Sequence, residues 1–309
     1  MVLPTNKADR LLERQFEEAQ KHAARDELEQ RIRDHAREVR RFERKRRFNE
    51  HTPRPLDLLA IGDSWFNYPL DGDFPVPVSP FDFGITGVRN LKSLGDPPPI
   101  ILSVGKYQGA STHLLTWENQ EQIMRILEST KPRTNGKGPD AILASFGADD
   151  IVGDQLAIYL TYGGGTKLAS PRSQGVLDLV KASYACLFEL RKNAWASEVP
   201  IFAHCYDYAI PSGKPAAGLF GPWLKPSFDF ALYELTDAQA VVHDMIDKFH
   251  RMLSGLASDA TNNFHLVDTR GTIAAPNDWS NEIHPNPDGF YRLAQRFLTA
   301  LQAHFPGRI

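Results

Sequence analysis

Five short apolar segments, separated by longer stretches of helical composition, place the strongest constraint on how this chain can fold. Each segment is bounded by glycine, proline or aspartate, which is typical of a buried parallel strand. Strands that alternate with helices predict a parallel α/β sheet with right-handed crossovers. The predicted strands are residues 56–61, 100–104, 141–146, 200–205 and 264–267. The predicted helices lie near residues 111–130, 174–196, 237–258 and 287–304, the third beginning at Thr236 or Asp237.

The first 50 residues differ in composition from the rest of the chain. Residues 7–48 contain neither glycine nor proline, which favours a helix. At 1.5 Å per residue such a helix would extend about 60 Å, longer than a compact domain needs. Residues 1–50 carry 14 basic and 11 acidic residues, whereas the whole chain has a net charge of −3. We therefore expect a charged helical extension, 1–50, and an α/β domain, 51–309. Residues 7–48 are expected to mediate homo-oligomer formation, with a solvated helix or an anionic partner as the alternatives.

Charge and cysteine content limit the partners of the chain. Its nearly balanced charge gives no reason to expect nucleic acid as a partner. The two cysteines and ten histidines show no metal-ligand spacing, so we expect neither a metal nor another cofactor. No apolar run approaches the roughly 18 residues of a transmembrane segment. The N-terminus lacks a secretory signal, so the expected location is cytoplasmic, with non-classical export as the alternative.

A serine and a histidine are the candidate catalytic pair. Ser64 follows the first predicted strand in the sequence GDSWF, so it would lie at the carboxyl edge of the sheet, where α/β sheets bind ligands. His284 precedes a proline and the last predicted helix. Histidine is the usual general base for a serine nucleophile. Each feature by itself is also typical of an ordinary turn.

Four motifs in order resemble those of the SGNH/GDSL hydrolase superfamily. Its first and last motifs are similar to GDS at 62–64 and to the His-Pro pair at 284–285. Between them, residues 103–111 resemble the motif that supplies an oxyanion-hole glycine, here Gly109, and residues 145–151 resemble the G-x-N-D motif. The sequences GDSWF and NEIHP are most similar to a bacterial and phage-associated branch.

The resemblance implies a fold and a reaction. The fold is a single doubly wound, flavodoxin-like domain with a five-stranded parallel sheet flanked by helices. The reaction is hydrolysis of a carboxylic ester, or of an O-acyl or acetyl group on a lipid or carbohydrate. Ser64 would form an acyl-enzyme, with His284 transferring the proton. The backbone amides of Ser64 and Gly109, together with the side chain of Asp149, would bind the oxyanion.

Two positions depart from the family pattern. Asp149 replaces the oxyanion-hole asparagine. An ionised carboxylate repels the developing charge, whereas a protonated one can donate a hydrogen bond. Asn281 replaces the aspartate that orients the histidine, and it can do so through its carbonyl but without a charge. Asp278 is the second candidate for that role. These departures leave a catalytically weak or inactive binding protein of the same fold as the alternative function.

Side chains near the ends of the predicted strands are expected to line the substrate site. The loop at 209–230 combines proline and glycine with large apolar residues, which is typical of a binding loop. It is expected to form a wall for an acyl chain or a sugar ring. The other expected lining residues are Asp63, Trp65, Asp150, His204, Tyr206 and Asp207.

Overall fold

The structure is a computed structural model, and the chain forms two compact units, Met1–Thr52 and Pro53–Ile309. It describes residues 7–49, 54–66, 68, 84–86, 90–104, 110–112, 116–130, 138–194, 196–216, 220–273 and 276–309, with only the backbone at 7–25, 118, 129 and 130.

The first unit contains one long helix, α1 (Lys7–Phe48), so the predicted N-terminal helix is present. Oppositely charged side chains one turn apart pair along its described part. Exposed pairs of this kind each contribute only about 0.5 kcal/mol or less, so they do not hold a long helix together by themselves. The pairs are Arg31–Glu27, Arg33–Glu29 and Arg37–Asp34.

The second unit is built on a five-stranded parallel sheet, as predicted. Its strands are β1 (Asp57–Gly62), β2 (Ile100–Ser103), β3 (Ala141–Ser145), β4 (Ile201–His204) and β5 (Phe264–Val267). They lie in the order β2-β1-β3-β4-β5, and every neighbouring pair is parallel. The strands are apolar and mostly buried because helices cover both faces of such a sheet. Each observed strand end lies within one residue of its prediction.

The second unit contains six α-helices in its described residues. They are α2 (Leu91–Leu94), α3 (Trp117–Thr130), α4 (Arg172–Asn193), α5 (Lys225–Phe230), α6 (Leu235–Ala257) and α7 (Pro287–His304). Short 3-10 turns lie at Asp154–Tyr159, Ala260–Asn262 and Pro276–Asp278. None of the described helices is long and apolar enough to span a membrane.

Three predictions about the helices are wrong in detail. Helix α6 begins at Leu235, because Ala238 already donates to the carbonyl of Glu234, so its start is not at Thr236 or Asp237. The charge of Asp237 instead falls in the first turn, where it favours the helix dipole. Helix α3 begins at Trp117 rather than near 111, and the loop at 209–230 contains α5.

A close approach of β1 and β3 positions the end of β1. Gly62 lies opposite Ser145, and a Cβ atom at Gly62 would be 2.3 Å from the Ser145 carbonyl oxygen. Only glycine fits so close a backbone contact. The next residue, Asp63, donates its amide to the same carbonyl at 2.7 Å. The chain therefore turns against the end of β3 just before Ser64.

Candidate active site

Ser64 and His284 form a direct hydrogen bond at the carboxyl edge of the sheet. Ser64 lies in the turn after β1, and His284 lies in the loop that precedes α7. A bridge between Trp279 and Pro285, together with a bond from the Ser280 amide to the His284 carbonyl, closes this loop. The Ser64 Oγ and His284 Nε2 atoms are 2.6 Å apart, and both residues are buried. This is the arrangement of a nucleophile and its general base.

The neighbouring asparagine determines which nitrogen of His284 carries the proton. Asn281 Oδ1 accepts the backbone N–H groups of Ile283 (3.1 Å) and His284 (3.0 Å), while its Nδ2 donates to the Tyr68 hydroxyl (2.9 Å). The atom facing His284 Nδ1 at 3.1 Å is therefore an acceptor, so Nδ1 carries the hydrogen. The free lone pair of Nε2 then points at the Ser64 hydroxyl. Burial lowers the pKa of His284 to about 3, so the ring is neutral at physiological pH.

Asp278, the second candidate for orienting the histidine, is engaged elsewhere. Its carboxylate pairs with Arg292 of α7 at 2.7 Å, and its backbone carbonyl accepts the amide of Asn286. The structure thus brings Asn281 to His284 and directs the side chain of Asp278 to α7.

Aromatic side chains fix the imidazole from two directions. The Tyr68 ring stacks on His284 with centroids 4.2 Å apart, and the Trp223 ring meets it edge-on at 5.6 Å. The indole of Trp65 donates to the Ile283 carbonyl at 3.0 Å, which anchors the loop next to the histidine. The ring is therefore held in the orientation that faces Ser64.

A buried polar network lies beneath the serine. Asp63 accepts hydrogen bonds from the Ser145 hydroxyl (2.6 Å), the Trp65 amide (3.0 Å) and the Tyr206 hydroxyl. His204 Nδ1 accepts the Tyr206 amide, so its Nε2 donates to Ser145 at 2.7 Å. Burial lowers the pKa of His204 to about 3 and raises the pKa of Asp63 to about 6, although the bonds to Asp63 oppose the latter shift. Asp63 thus carries the charge of a network whose other members are neutral.

Asp149 differs from Asp63 because the described residues place no hydrogen-bond donor at its buried oxygen. Its Oδ2 atom is buried without a hydrogen-bond partner among the described residues, and only its backbone carbonyl accepts a bond, from Gln155. Burial, and then the charges of Asp63 and Asp150, raise the pKa of Asp149 to about 7. Gly109, the other expected oxyanion-hole residue besides Ser64, lies outside the described residues.

An apolar cavity opens beside Ser64 and Asp149. It is partly open to solvent and lined mostly by apolar side chains. Of the residues expected from the sequence to line a substrate site, Asp63, Trp65, Tyr206 and Asp207 border this cavity. The apolar part of the wall comes from Ile151, Val152, Leu224, Met245, Ile246, Phe249 and Ile283.

The carboxylates of Asp150 and Asp207 hold the backbone of neighbouring loops. Asp150 accepts the amide of Ser111 at 2.7 Å. Asp207 accepts the amides of Tyr208, Gly271 and Ile273, at 2.6–2.8 Å. Both carboxylates thus anchor neighbouring backbone, and Asp207 also borders the cavity.

Sequence reasoning missed Tyr68 and the role of Glu282. Tyr68 lies in a segment rich in proline and glycine, which gave no signal for a buried aromatic residue. Glu282 is fully buried between Asn281 and His284 and accepts four backbone amides. The sequence signal for Glu282 was its position, because a charged residue there lies between two candidate catalytic residues. Among the described residues, no group of His, Cys, Asp or Glu side chains could hold a metal ion.

The strand order defines a five-stranded parallel α/β sheet, and Ser64, His284 and Asn281 lie together at its carboxyl edge. The sequence matches no known family model and no curated protein. Est24, a carbohydrate acetylesterase from Sinorhizobium meliloti, is similar with a TM-score of 0.50 at 13% identity, over 80% of this chain and 99% of that chain. This likeness confirms the fold expected from the sequence motifs.

Two further solved structures are similar at lower TM-scores. An extracellular lipase from Streptomyces rimosus has a TM-score of 0.45 at 14% identity, over 79% of this chain and 99% of that chain. A protein from Bacteroides ovatus described as a GDSL-like lipase has a TM-score of 0.45 at 10% identity, over 81% of this chain. This chain spans 54% of that protein, about half of its length.

Proposed function

We propose that this protein is a serine hydrolase of the SGNH/GDSL type that cleaves ester bonds through an acyl-enzyme. The observation that carries the proposal is the 2.6 Å hydrogen bond between Ser64 and His284. Asn281 holds the imidazole in the tautomer that accepts the serine proton. A serine in an ordinary turn does not require a hydrogen bond to a buried, neutral histidine held in one orientation.

Acylation begins when Ser64 Oγ attacks the carbonyl carbon of the ester. The hydroxyl proton passes to His284 Nε2, and the carbonyl oxygen takes up the negative charge. The bond between the carbonyl carbon and the alcohol oxygen then breaks, and His284 gives its proton to the leaving alcohol. Asn281 accepts the Nδ1–H throughout, which stabilises the imidazolium by a hydrogen bond but without a charge.

Deacylation repeats these steps with water as the nucleophile. His284 takes a proton from the water, whose oxygen attacks the acyl carbon. The bond between that carbon and Ser64 Oγ breaks, the proton returns to the serine, and the carboxylic acid leaves. Each turnover consumes one water and restores the serine.

The substrate that best suits the cavity has a small acyl group and a polar alcohol part. The apolar wall around Leu224, Met245 and Phe249 favours an acyl group, while the open mouth can admit the rest of the ester. The similar fold of a carbohydrate acetylesterase makes acetylated sugars the first natural substrates to test. Short carboxylic esters and lipid esters are the other members of the proposed class.

Hydrolysis of p-nitrophenyl acetate and of acetylated xylo-oligosaccharides tests the proposal. We expect activity from the wild-type protein and none above background from Ser64→Ala or His284→Ala. Ser258→Ala is the matched control, because this serine is exposed at the end of α6 and bonds only locally to Gly255. Mass spectrometry after treatment with a fluorophosphonate should find the label on Ser64.

The second candidate function is a binding protein that does not hydrolyse esters. The carboxyl group of Asp149 beside the cavity favours this alternative if it carries a negative charge, because it then repels an oxyanion. The same assays separate the two functions. Equal inactivity of wild type and Ser64→Ala on both substrates, with no label on Ser64, would favour binding and rule out the hydrolase.

A further inference from the structure

We propose that Asp149 works as a neutral carboxylic acid that donates a hydrogen bond to the oxyanion formed when Ser64 attacks. The inference rests on the proposed hydrolase function and assigns a catalytic role to the residue that departs most from the family pattern. Asp149 would then be a catalytic residue with a titratable proton, in place of a permanent amide donor.

The first argument is position. Ser64 and Asp149 both line the same cavity, at the ends of the neighbouring strands β1 and β3. Asp149 Oδ2 is buried without a partner among the described residues. A buried polar oxygen without a partner is unfavourable unless a ligand satisfies it. The O–H group of a protonated Asp149 would donate a hydrogen bond to the substrate oxygen.

The second argument concerns which of two neighbouring carboxyl groups keeps the charge. Asp63 receives three hydrogen bonds, from Ser145, Trp65 and Tyr206, and all three favour its ionised form. Asp149 receives none at its buried oxygen among the residues described. When two carboxyl groups share a buried site, the proton goes to the one whose charge is less stabilised. Asp149 is therefore the protonated member.

The third argument is the electrostatic surrounding of Asp149. The charges that act on it from β1 and from its own loop are those of Asp63 and Asp150, and both are negative. Tyr206 and Asp207, which follow β4, also border the cavity, and the described residues of α6 that border it are apolar. In the described part of the chain, no lysine, arginine or histidine lines the cavity. Burial and these neighbours raise the pKa of Asp149 to about 7, so it is protonated below neutral pH.

The proton balance of the step is simple. Ser64 gives its proton to His284, as in the proposed function, and Asp149 keeps its own. The Asp149 hydroxyl donates to the oxyanion as the charge develops, and the bond weakens again when the carbonyl re-forms. Asp149 therefore transfers no proton and needs none from a co-reactant.

The test is the pH profile of kcat/KM for p-nitrophenyl acetate from about pH 4 to about pH 9, with product read after quenching to one pH. We expect the wild-type rate to fall about tenfold per pH unit above about pH 7, as Asp149 ionises. Asp149→Asn keeps a donor that does not ionise, so its alkaline decline should disappear. The ratio of variant to wild-type rate should therefore rise about 100-fold between about pH 5 and about pH 9. Asp149→Ala should lie about 10²–10³-fold below Asp149→Asn at every pH where the latter is active.

Asp154→Asn is the matched control, because Asp154 is an exposed carboxylate a few residues along the chain. It should keep the alkaline decline of the wild type. Infrared difference spectra give a readout that does not depend on activity. The wild type should show a carboxylic acid C=O band below about pH 7 that is missing in Asp149→Asn.

The outcomes separate the two proposals. If wild type and Asp149→Asn hydrolyse the ester with the same alkaline decline, or if the infrared band is missing, the role of Asp149 is refuted while the hydrolase stands. If neither protein shows hydrolysis that depends on Ser64, the hydrolase function fails and the inference fails with it.

Discussion

Glu282 joins the loop that carries His284 to the loop that carries Trp223. Its Oε1 accepts the amides of Gly213 (2.8 Å) and Lys225 (3.0 Å), and its Oε2 accepts those of Trp223 (2.5 Å) and Leu224 (2.7 Å). The side chain is fully buried. We predict that Glu282→Gln, which changes one oxygen into an NH₂ group and little else, strongly destabilises this junction.

The magnitude follows from the hydrogen-bond pattern. Each carboxylate oxygen accepts two amides, so whichever oxygen becomes NH₂, two N–H donors in buried or partly buried bonds lose their acceptor. An unsatisfied buried donor costs about 1–3 kcal/mol, so the substitution should lower the free energy of unfolding by about 2–6 kcal/mol. Total stabilities are about 5–15 kcal/mol, so the loss would be large.

Urea unfolding followed by tryptophan fluorescence measures this change, with Glu234→Gln as the matched control. Glu234 is exposed and its side chain makes no capping bond, so its variant should unfold like the wild type. Ester hydrolysis should also fall in Glu282→Gln, because Trp223 contacts His284 and Leu224 lines the cavity. A change in unfolding free energy below about 0.5 kcal/mol, the size of an ordinary surface effect, would refute the reasoning.

Three further predictions concern the histidine, the sheet and the long helix. Asn281→Asp places a negative charge beside His284 and should raise the pKa of the imidazole, moving the acidic limb of kcat/KM to higher pH, whereas Asp278→Asn should leave that limb unchanged. Gly62→Ala should lower the free energy of unfolding in urea by about 1–3 kcal/mol, because the added Cβ atom would lie 2.3 Å from a backbone oxygen; unchanged stability would contradict the close contact. A chain of residues 53–309 should be monomeric in light scattering if α1 mediates association of the full chain, and an unchanged oligomer would exclude that role.

The strands and the proximity of Ser64 and His284 could be predicted because their signals are local. Five buried parallel strands produce apolar runs that do not depend on what packs against them. Ser64 and His284 stand at sharp boundaries, after a strand and before a helix that Asn286 caps at 2.8 Å. Asn281 could be ranked first because it stands three residues before His284, where the motif that the sequence resembles has its aspartate. Such features depend on residues that are close together in the sequence.

The remaining parts of the site could not be predicted because they depend on contacts between distant segments. Tyr68 reaches Asn281 across 213 positions of sequence, from a segment whose composition indicates only loops and turns. Glu282 meets amides from a loop more than 50 residues earlier in the chain. Asp63 and Asp149 are both aspartates. The hydrogen-bond donors that the fold brings to Asp63 are what distinguish the charged carboxyl group from the protonated one. Tertiary packing decides these cases, and a single sequence does not display it.

The two departures from the family pattern favour the same working pH. A triad aspartate would hold a negative charge beside the histidine and keep its pKa high. With Asn281 in that place no such charge opposes burial, and the pKa of His284 falls to about 3. The imidazole is therefore unprotonated in mildly acidic solution. In the same solution, the histidine of a triad that contains an aspartate begins to take up a proton, and its activity begins to fall. Asp149, with its pKa raised to about 7, would keep the proton that the proposed hydrogen bond needs in the same solution and lose it at higher pH. If both residues act as proposed, the activity should be highest between the pKa of His284, about 3, and that of Asp149, about 7.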